Sequence, residues 1–367
     1  MNNWFLLAAI PVFGLLIIVH EFGHFITAKW AGIRVEEFAL GFPPRIFGFK
    51  RGETTYSINL FPFGGYVRMP GENGEMTDEQ GHFDPRSFAA KPASKRLIVL
   101  LAGVTMNVIL ALVLLTAAEA IGSPNPYALV GDVQAGSPAA SAGLRSGDRI
   151  LSVNGQSVQY FTDFRNAVSA VTDTTPQDTK TVPIIVVVQH KGESQLAKVT
   201  VQAIAHPNAA AGQGHFGVTA DYAGAPWVRA PLWKAPLLGV QDMGAIIVAT
   251  VQFVGMLIHG VLPWNQTISG PVGIVKQTGQ EASAIPVAGP APLLFFTALI
   301  SLNLAFVNAL PIPALDGGRV VFVLIEMLRR GKRISPEREG LVNLIGMGLL
   351  LLLILVVTIN DIGNLGH

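Results

Sequence analysis

Apolar residues gather in four long runs, at roughly residues 4–28, 97–121, 292–313 and 340–359. Each run is long enough to cross about 30 Å of hydrocarbon as a helix. The pattern therefore predicts four transmembrane helices. A fifth stretch, Leu237 to Leu262, is apolar on balance but carries Gln241, Asp242, Gln252 and His259. That mixture predicts an amphipathic helix lying on the outer membrane surface. Between the first two runs the period changes. Thr54–Leu60 and Gly65–Met69 read as two β-strands around the turn Pro62-Phe63-Gly64-Gly65. Phe38–Leu40 and Ile46–Phe49 could add strands to this hairpin. A small soluble sheet is one reading of so aromatic a segment. Re-entry into the membrane is the other, and it requires burial in protein or a cavity wall. Residues 71–94 are polar and turn-rich, predicting an exposed loop in which His82 is solvated.

Composition agrees with the pattern. Of 367 residues, 50% are hydrophobic and 13% charged, and mean hydropathy is positive. Soluble domains carry about 25% charged residues. The chain reads as a polytopic α-helical membrane protein. A net charge of +1 with no basic face excludes nucleic acid as a partner. Without cysteine there is no disulfide and no thiolate, so any metal is held by histidine and carboxylate. The opening Met-Asn-Asn lacks a basic n-region, and the first run ends in histidines, so no cleavable signal peptide is expected. Lysine and arginine concentrate in residues 29–96 and 319–338 and are missing from MNN and TINDIGNLGH. By the positive-inside rule both basic loops are cytoplasmic, and both termini and residues 122–291 are extracytoplasmic. A crossing at Leu237–Leu262 would oppose that bias.

The external segment opens on the stiff linker Ser123-Pro124-Asn125-Pro126. GSPAASAGLRSGDRILSVNG at 136–155 then matches the pattern of a PDZ domain, with further strands at Val182–Val188 and Ala197–Ala203 and one copy in all. PDZ domains bind extended peptide by strand addition. A rigid plug or spacer is the plainer use.

The chemistry begins at the inner end of the first run, in His20-Glu21-Phe22-Gly23-His24. Residues four apart share a helical face, so His20 and His24 can offer two imidazoles to one metal. Glu21 lies between them. This H-E-x-x-H spacing is that of zinc hydrolases, where the metal acidifies water and the glutamate takes the proton. Charged groups within a membrane span cost several kcal/mol each, about 3 on insertion scales, and ask for a function. Near the end of the third run stands Asn308-Ala309-Leu310-Pro311-Ile312-Pro313-Ala314-Leu315-Asp316-Gly317-Gly318. Two prolines there end a helix, and Asp316 supplies the third ligand that two histidines lack. His20 lies about 24 Å along the first span at ~1.5 Å per residue, near the cytoplasmic side. The third span delivers Asp316 to that same side.

Together HEFGH, NALPIPALDGG and the intervening PDZ pattern resemble the site-2 protease family, in its bacterial RseP-type branch. The resemblance covers nearly the whole chain, with a hairpin similar to that family's membrane-reentrant sheet and Gly270-Pro271-Val272-Gly273-Ile274 similar to its loop before the third span. One PDZ domain, where many Gram-negative members have two, is the departure. The resemblance implies Zn2+ on His20, His24 and Asp316, with Glu21 as general base and then proton donor. It implies that Asn308 bonds the scissile carbonyl or its oxyanion; satisfying broken-helix carbonyls is the alternative. Substrate would be an unwound transmembrane segment held by strand addition, with Ile58, Asn59, Leu60, Gly65, Tyr66 and Val67 as candidate contacts. The partners implied are single-span membrane proteins, the lipid bilayer and an upstream site-1-type protease. The location implied is the bacterial inner membrane. Four segments follow: an N-terminal membrane half (1–121), a PDZ domain (126–206), a following region with a surface helix (207–291) and a C-terminal membrane half (292–367). A catalytically silent peptide-binding relative would have no need of Glu21 with Asp316. A zinc transporter would need neither PDZ nor hairpin.

Overall fold

The computed structural model describes residues 7–72, 84–172, 174–176, 178–207, 214–223, 225–260, 269–332 and 334–364. His82 lies outside them. In chain order the elements are α1 (Ala9–Trp30), β1 (Glu37–Arg51), β2 (Thr54–Arg68), α2 (Ala93–Ile121), β3 (Ser123–Pro124), β4 (Val130–Val133) and α3 (Pro138–Ser141). There follow β5 (Arg149–Val153), β6 (Gln156–Ser157), α4 (Phe161–Thr172), β7 (Thr181–Gln189), β8 (Leu196–Ile204), β9 (Val218–Ala220) and β10 (Trp227–Val228). Helices complete the chain: α5 (Ala235–Ile258), α6 (Pro271–Ala288), α7 (Ala291–Ala309), α8 (Asp316–Leu328) and α9 (Pro336–Asn364). They form two units, one of Met1–Ala120, Pro231–Ser283 and Pro292–Gly366, the other of Ile121–Ala230 with Ala284–Ala291.

Among the described residues, five helices of the first unit are long and apolar enough to cross a membrane: α1, α2, α5, α7 and most of α9. The protein is a multi-pass membrane protein. α7 stops at Ala309 because Pro311 and Pro313 cannot continue it.

The fifth helix, α5, departs from the surface helix expected at 237–262. Gly239 abuts Thr116 of α2. Met243 and Ile246 pack with Ala111 and Leu115 of α2 and with Leu294 and Ala298 of α7. Val251 shares an apolar cavity with Val104 and Phe306. Numbers rise along α5 as they fall along α2 and rise along α7. α5 is thus antiparallel to the first and parallel to the second, lengthwise in the bundle. The polar residues that suggested a surface have partners here: Thr250 Oγ1 donates to Asn303 Oδ1 at 3.4 Å, and Asp242 bonds Glu119.

This helix need not upset the charge argument. The Gly270 and Gly273 N–H groups donate to Asp361 Oδ1 and Oδ2 at 2.9 and 2.8 Å, near the C-terminus of α9. Near the start of α9, Asn343 Oδ1 accepts from Ala314 N–H at 3.3 Å, just past the end of α7. Gly270 therefore lies at the end of the bundle where α7 begins, and Gly260 at the end where it finishes. Counting charges tests only whether crossings are odd or even, and these two glycines lie at opposite ends of the bundle.

The hairpin is more folded than its sequence suggests. β1 and β2 each bend, giving four ladder segments. Residues 45–51 pair with 54–59, and 37–40 pair on one side with 55–58 (Glu37 with Thr55) and on the other with 65–68 (Glu37 with Arg68). Segment 65–68 is an edge. In the turn between 51 and 54, Glu53 meets Lys29 and Arg86, each at 2.6 Å, and these hydrogen bonds hold its carboxyl below the usual carboxylate range.

The second unit carries a four-stranded sheet in the order β6-β5-β7-β8. Val130, Ile150, Ile184, Val186, Val201 and Phe164 form its core. Ser137 caps α3, its Oγ accepting from Ala140 N–H at 3.2 Å, with Pro138 at the first helical position. The unit runs beyond residue 206: β9 pairs with β4 and β10 with β3, so residues up to Ala230 belong to it.

Candidate metal centre

α1 turns Leu16, Gly23 and Ala28 inward, and both histidines of HEFGH lie on the same stripe, buried. Their Nε2 atoms are 3.2 Å apart. Asp316, at the start of α8, places Oδ2 at 3.2 Å from each of them, and no hydrogen bond satisfies that oxygen. Among the described residues this is the one group of three His, Cys, Asp or Glu side chains that could hold a metal ion. Three lone-pair atoms crowded in a buried space call for a cation. Two imidazoles, a carboxylate and an open side fit catalytic zinc.

Each of the three candidate ligands has identifiable support. Gly23 brings α1 against α2, since a Cβ there would lie 2.5 Å from Ala102 O. Gly103, next on α2, faces the imidazoles themselves: a Cβ would lie 2.6 Å from His20 Cε1 and closer still to His24 Nε2. His24 Nδ1 bonds Val99 O at 2.8 Å, and His20 Nδ1 lies 3.3 Å from the side-chain amide of Asn107. Asp316 is set by the chain that precedes it. Ala314 takes a left-handed φ of 76°, and Gly317 and Gly318 crowd the carbonyls of Leu310 and Ile312 too closely for any side chain. Arg96 of α2 pairs with buried Glu326 at 2.6 Å and ties α8 to the bundle.

The three side chains open on a cleft of about 310 Å³. Glu21 lines it, as do Gly65, Tyr66 and Val67 of the edge segment. An ion pair between Glu72 and Arg319 forms another wall. The edge segment touches α1, because a Cβ on Gly65 would sit 2.9 Å from both Glu21 Cγ and Ile17 Cγ2. The sequence candidates therefore divide. His20, Glu21, His24, Asp316, Gly65, Tyr66 and Val67 come together. Ile58, Asn59 and Leu60 do not line the cleft; they precede the bend in β2, and Asn59 Nδ2 instead donates to Gly41 O at 2.9 Å. Asn308 stands in the last turn of α7 and also does not line it. Gly103 and Asn107 escaped the sequence reading. A glycine and a buried asparagine inside an apolar span were the available signal.

A cluster of two histidines and an aspartate able to hold a metal, a glutamate beside it and a bundle of membrane-length helices are the features of a zinc metalloprotease of the site-2 type. The pattern of Peptidase family M50 matches residues 8–353, and the chain belongs to that family. It is similar to the regulator of sigma-W protease RasP of Bacillus subtilis, 34% identical over 435 aligned positions covering 98% of both chains. It is similar also to the zinc metalloprotease RasP of Geobacillus kaustophilus, 31% identical over 436 positions covering 97% of each. Its cofactor is zinc.

Metal analysis of the purified protein should find one zinc per chain. His20→Ala, His24→Ala and Asp316→Ala should each lower it severalfold. Full occupancy in the Asp316 variant would remove that residue from the ligand set.

Proposed function

We propose that this protease cleaves within transmembrane segments of single-span membrane proteins, in the manner of regulated intramembrane proteolysis. One observation carries the reading: an edge strand, residues 65–68, lines the same cleft as Glu21 and the metal ligands. A transmembrane helix shields its peptide bonds with its own hydrogen bonds, so it must be unwound before hydrolysis. Strand addition to 65–68 would hold it extended there. Bound zinc would acidify water and polarise the scissile carbonyl. Glu21 takes a proton from the attacking water and returns it to the amine nitrogen as the C–N bond breaks. Asn308, by the resemblance, would bond the carbonyl or its oxyanion once substrate is present.

The second unit we read as one extracytoplasmic PDZ domain, supported by the motif at 136–155 and the capped α3 within it. Tethered outside, it acts on what substrates expose there. We favour a filter that excludes bulky ectodomains until an upstream site-1-type protease has trimmed them. A capture groove would need a free peptide terminus, which an intact ectodomain need not offer. The test uses detergent-purified protein with full-length and pre-trimmed substrates. The trimmed substrate should be cut, and a zinc chelator should abolish cutting; chelator-resistant cleavage would overturn the assignment. Deleting residues 127–205 should release cutting of the full-length substrate and barely affect the trimmed one, whereas loss of both would point to capture.

The enzyme belongs, in this reading, to the bacterial inner membrane, with both termini and the PDZ domain outside. Single cysteines are easily placed in a chain that has none. Membrane-impermeant thiol reagent on intact cells should label Asn125→Cys and spare Lys332→Cys. Labelling at 332 would reverse the second basic loop and make α5 a net crossing.

A further inference from the structure

We infer that Asn107 is a positioning residue for His20, and that its amide acts through Oδ1, as a hydrogen-bond acceptor. Asn107 is fully buried on α2, on the side of His20 away from Asp316. Its Nδ2 lies 3.3 Å from His20 Nδ1, while its Oδ1 is buried with no partner. The ring chemistry rejects that orientation. His20 Nε2 points at Asp316 Oδ2 and at His24 Nε2, so Nε2 is the metal-facing nitrogen and needs its lone pair. A neutral imidazole that offers Nε2 carries its proton on Nδ1. The neighbour of Nδ1 must then accept, and an NH2 group only donates. Turning the amide by 180° replaces this donor–donor contact with Nδ1–H donating to Oδ1, and gives the orphaned oxygen its bond. His24 already has the corresponding arrangement, its Nδ1 facing the Val99 carbonyl oxygen at 2.8 Å.

The residue is well placed to transmit position. Its backbone oxygen accepts from buried Ser301 Oγ at 2.8 Å, which fixes α2 to α7 at this level. α7 also leads directly into the turn that carries Asp316. One hydrogen-bonded path thus links the helix before the carboxylate ligand to the tautomer and ring plane of an imidazole ligand. Groups that hold a ligating histidine by its far nitrogen typically contribute 10–100-fold in metal affinity.

Two substitutions separate acceptor from donor in the full-length protein in detergent. Asn107→Asp keeps an oxygen at Nδ1 and loses the NH2. Asn107→Leu keeps the volume and loses both. Zinc affinity is read by chelator competition, and the ligand field by the visible absorption of the Co2+-substituted protein. Asn107→Leu should weaken zinc roughly 10–100-fold, alter the Co2+ bands, and lower kcat with KM little changed. Asn107→Asp should bind zinc at least as tightly as the parent and retain the Co2+ bands. Asn107→Ala replaces the leucine variant if the latter does not fold. Parental zinc affinity in the leucine or alanine variant would overturn the positioning role. A folded aspartate variant as weak as leucine would show that the amide donates, and would overturn the acceptor assignment.

Discussion

Replacing Glu21 with glutamine should leave the protein folded and zinc-loaded, and should slow cleavage by about 10²–10⁴-fold, the usual contribution of a positioned general acid–base group. Glu21 lines the cleft beside His20, His24 and Asp316 but is not one of the three converging side chains that could hold a metal. Glutamine keeps its length and shape, so the contact with Gly65 survives. What it loses is the capacity to accept a proton and return it. Substrate should therefore still bind, and single-turnover cleavage should fail at the chemical step. A variant that cuts at near the parental rate would leave the reaction without its proton acceptor. A variant that lost zinc would show that Glu21 holds the metal instead.

The second large effect is expected from one methyl group. Gly103→Ala places a carbon 2.8 Å from His20 Nε2 and 2.6 Å from Cε1, and nearer still to His24 Nε2. Real side chains do not tolerate such contacts, so both imidazoles must swing or α2 must withdraw from α1. Overpacking of this kind costs about 1–3 kcal/mol. Alanine favours a helix over glycine by about 1 kcal/mol, so any loss must come from the steric conflict. Zinc affinity should fall by roughly 100-fold, beyond or at the upper edge of outer-shell effects, with helical content unchanged by circular dichroism. Gly14→Ala on α1, where a Cβ meets nothing within 4 Å, is the matched control and should behave as the parent. Parental zinc binding by the Gly103 variant would mean that the ligands do not pack on α2 as described.

Much of the site was legible because its signals are local. Helical period alone puts His20 and His24 on one face, and an ionisable residue in an apolar run is costly enough to demand a role. The prolines at 311 and 313 mark the break before Asp316 as plainly, because they cannot continue α7. Apolar length marked four of the five helices long and apolar enough to cross a membrane, within about five residues of their observed ends. Four properties were not local. The position of α5 depends on which surfaces of α2 and α7 accept it, and the place of Gly270 is set by Asp361, 91 residues away. The usable strand depends on how β1 and β2 bend: the sequence marked both 58–60 and 65–67, and only the second reaches the cleft. The need for glycine at 103 arises from His20 and His24 on another helix, a contact with no signature in the neighbours of Gly103. The same is true of Asn107, whose polar side chain is conspicuous in an apolar helix but whose partner, His20, is 87 residues away in the chain. By itself, then, the sequence determined the candidate reactive groups and the helices that carry them, since covalent spacing and transfer energy act within a few turns. Which backbone edge, glycine and amide those groups meet was decided by packing between distant segments, which only the tertiary structure contains.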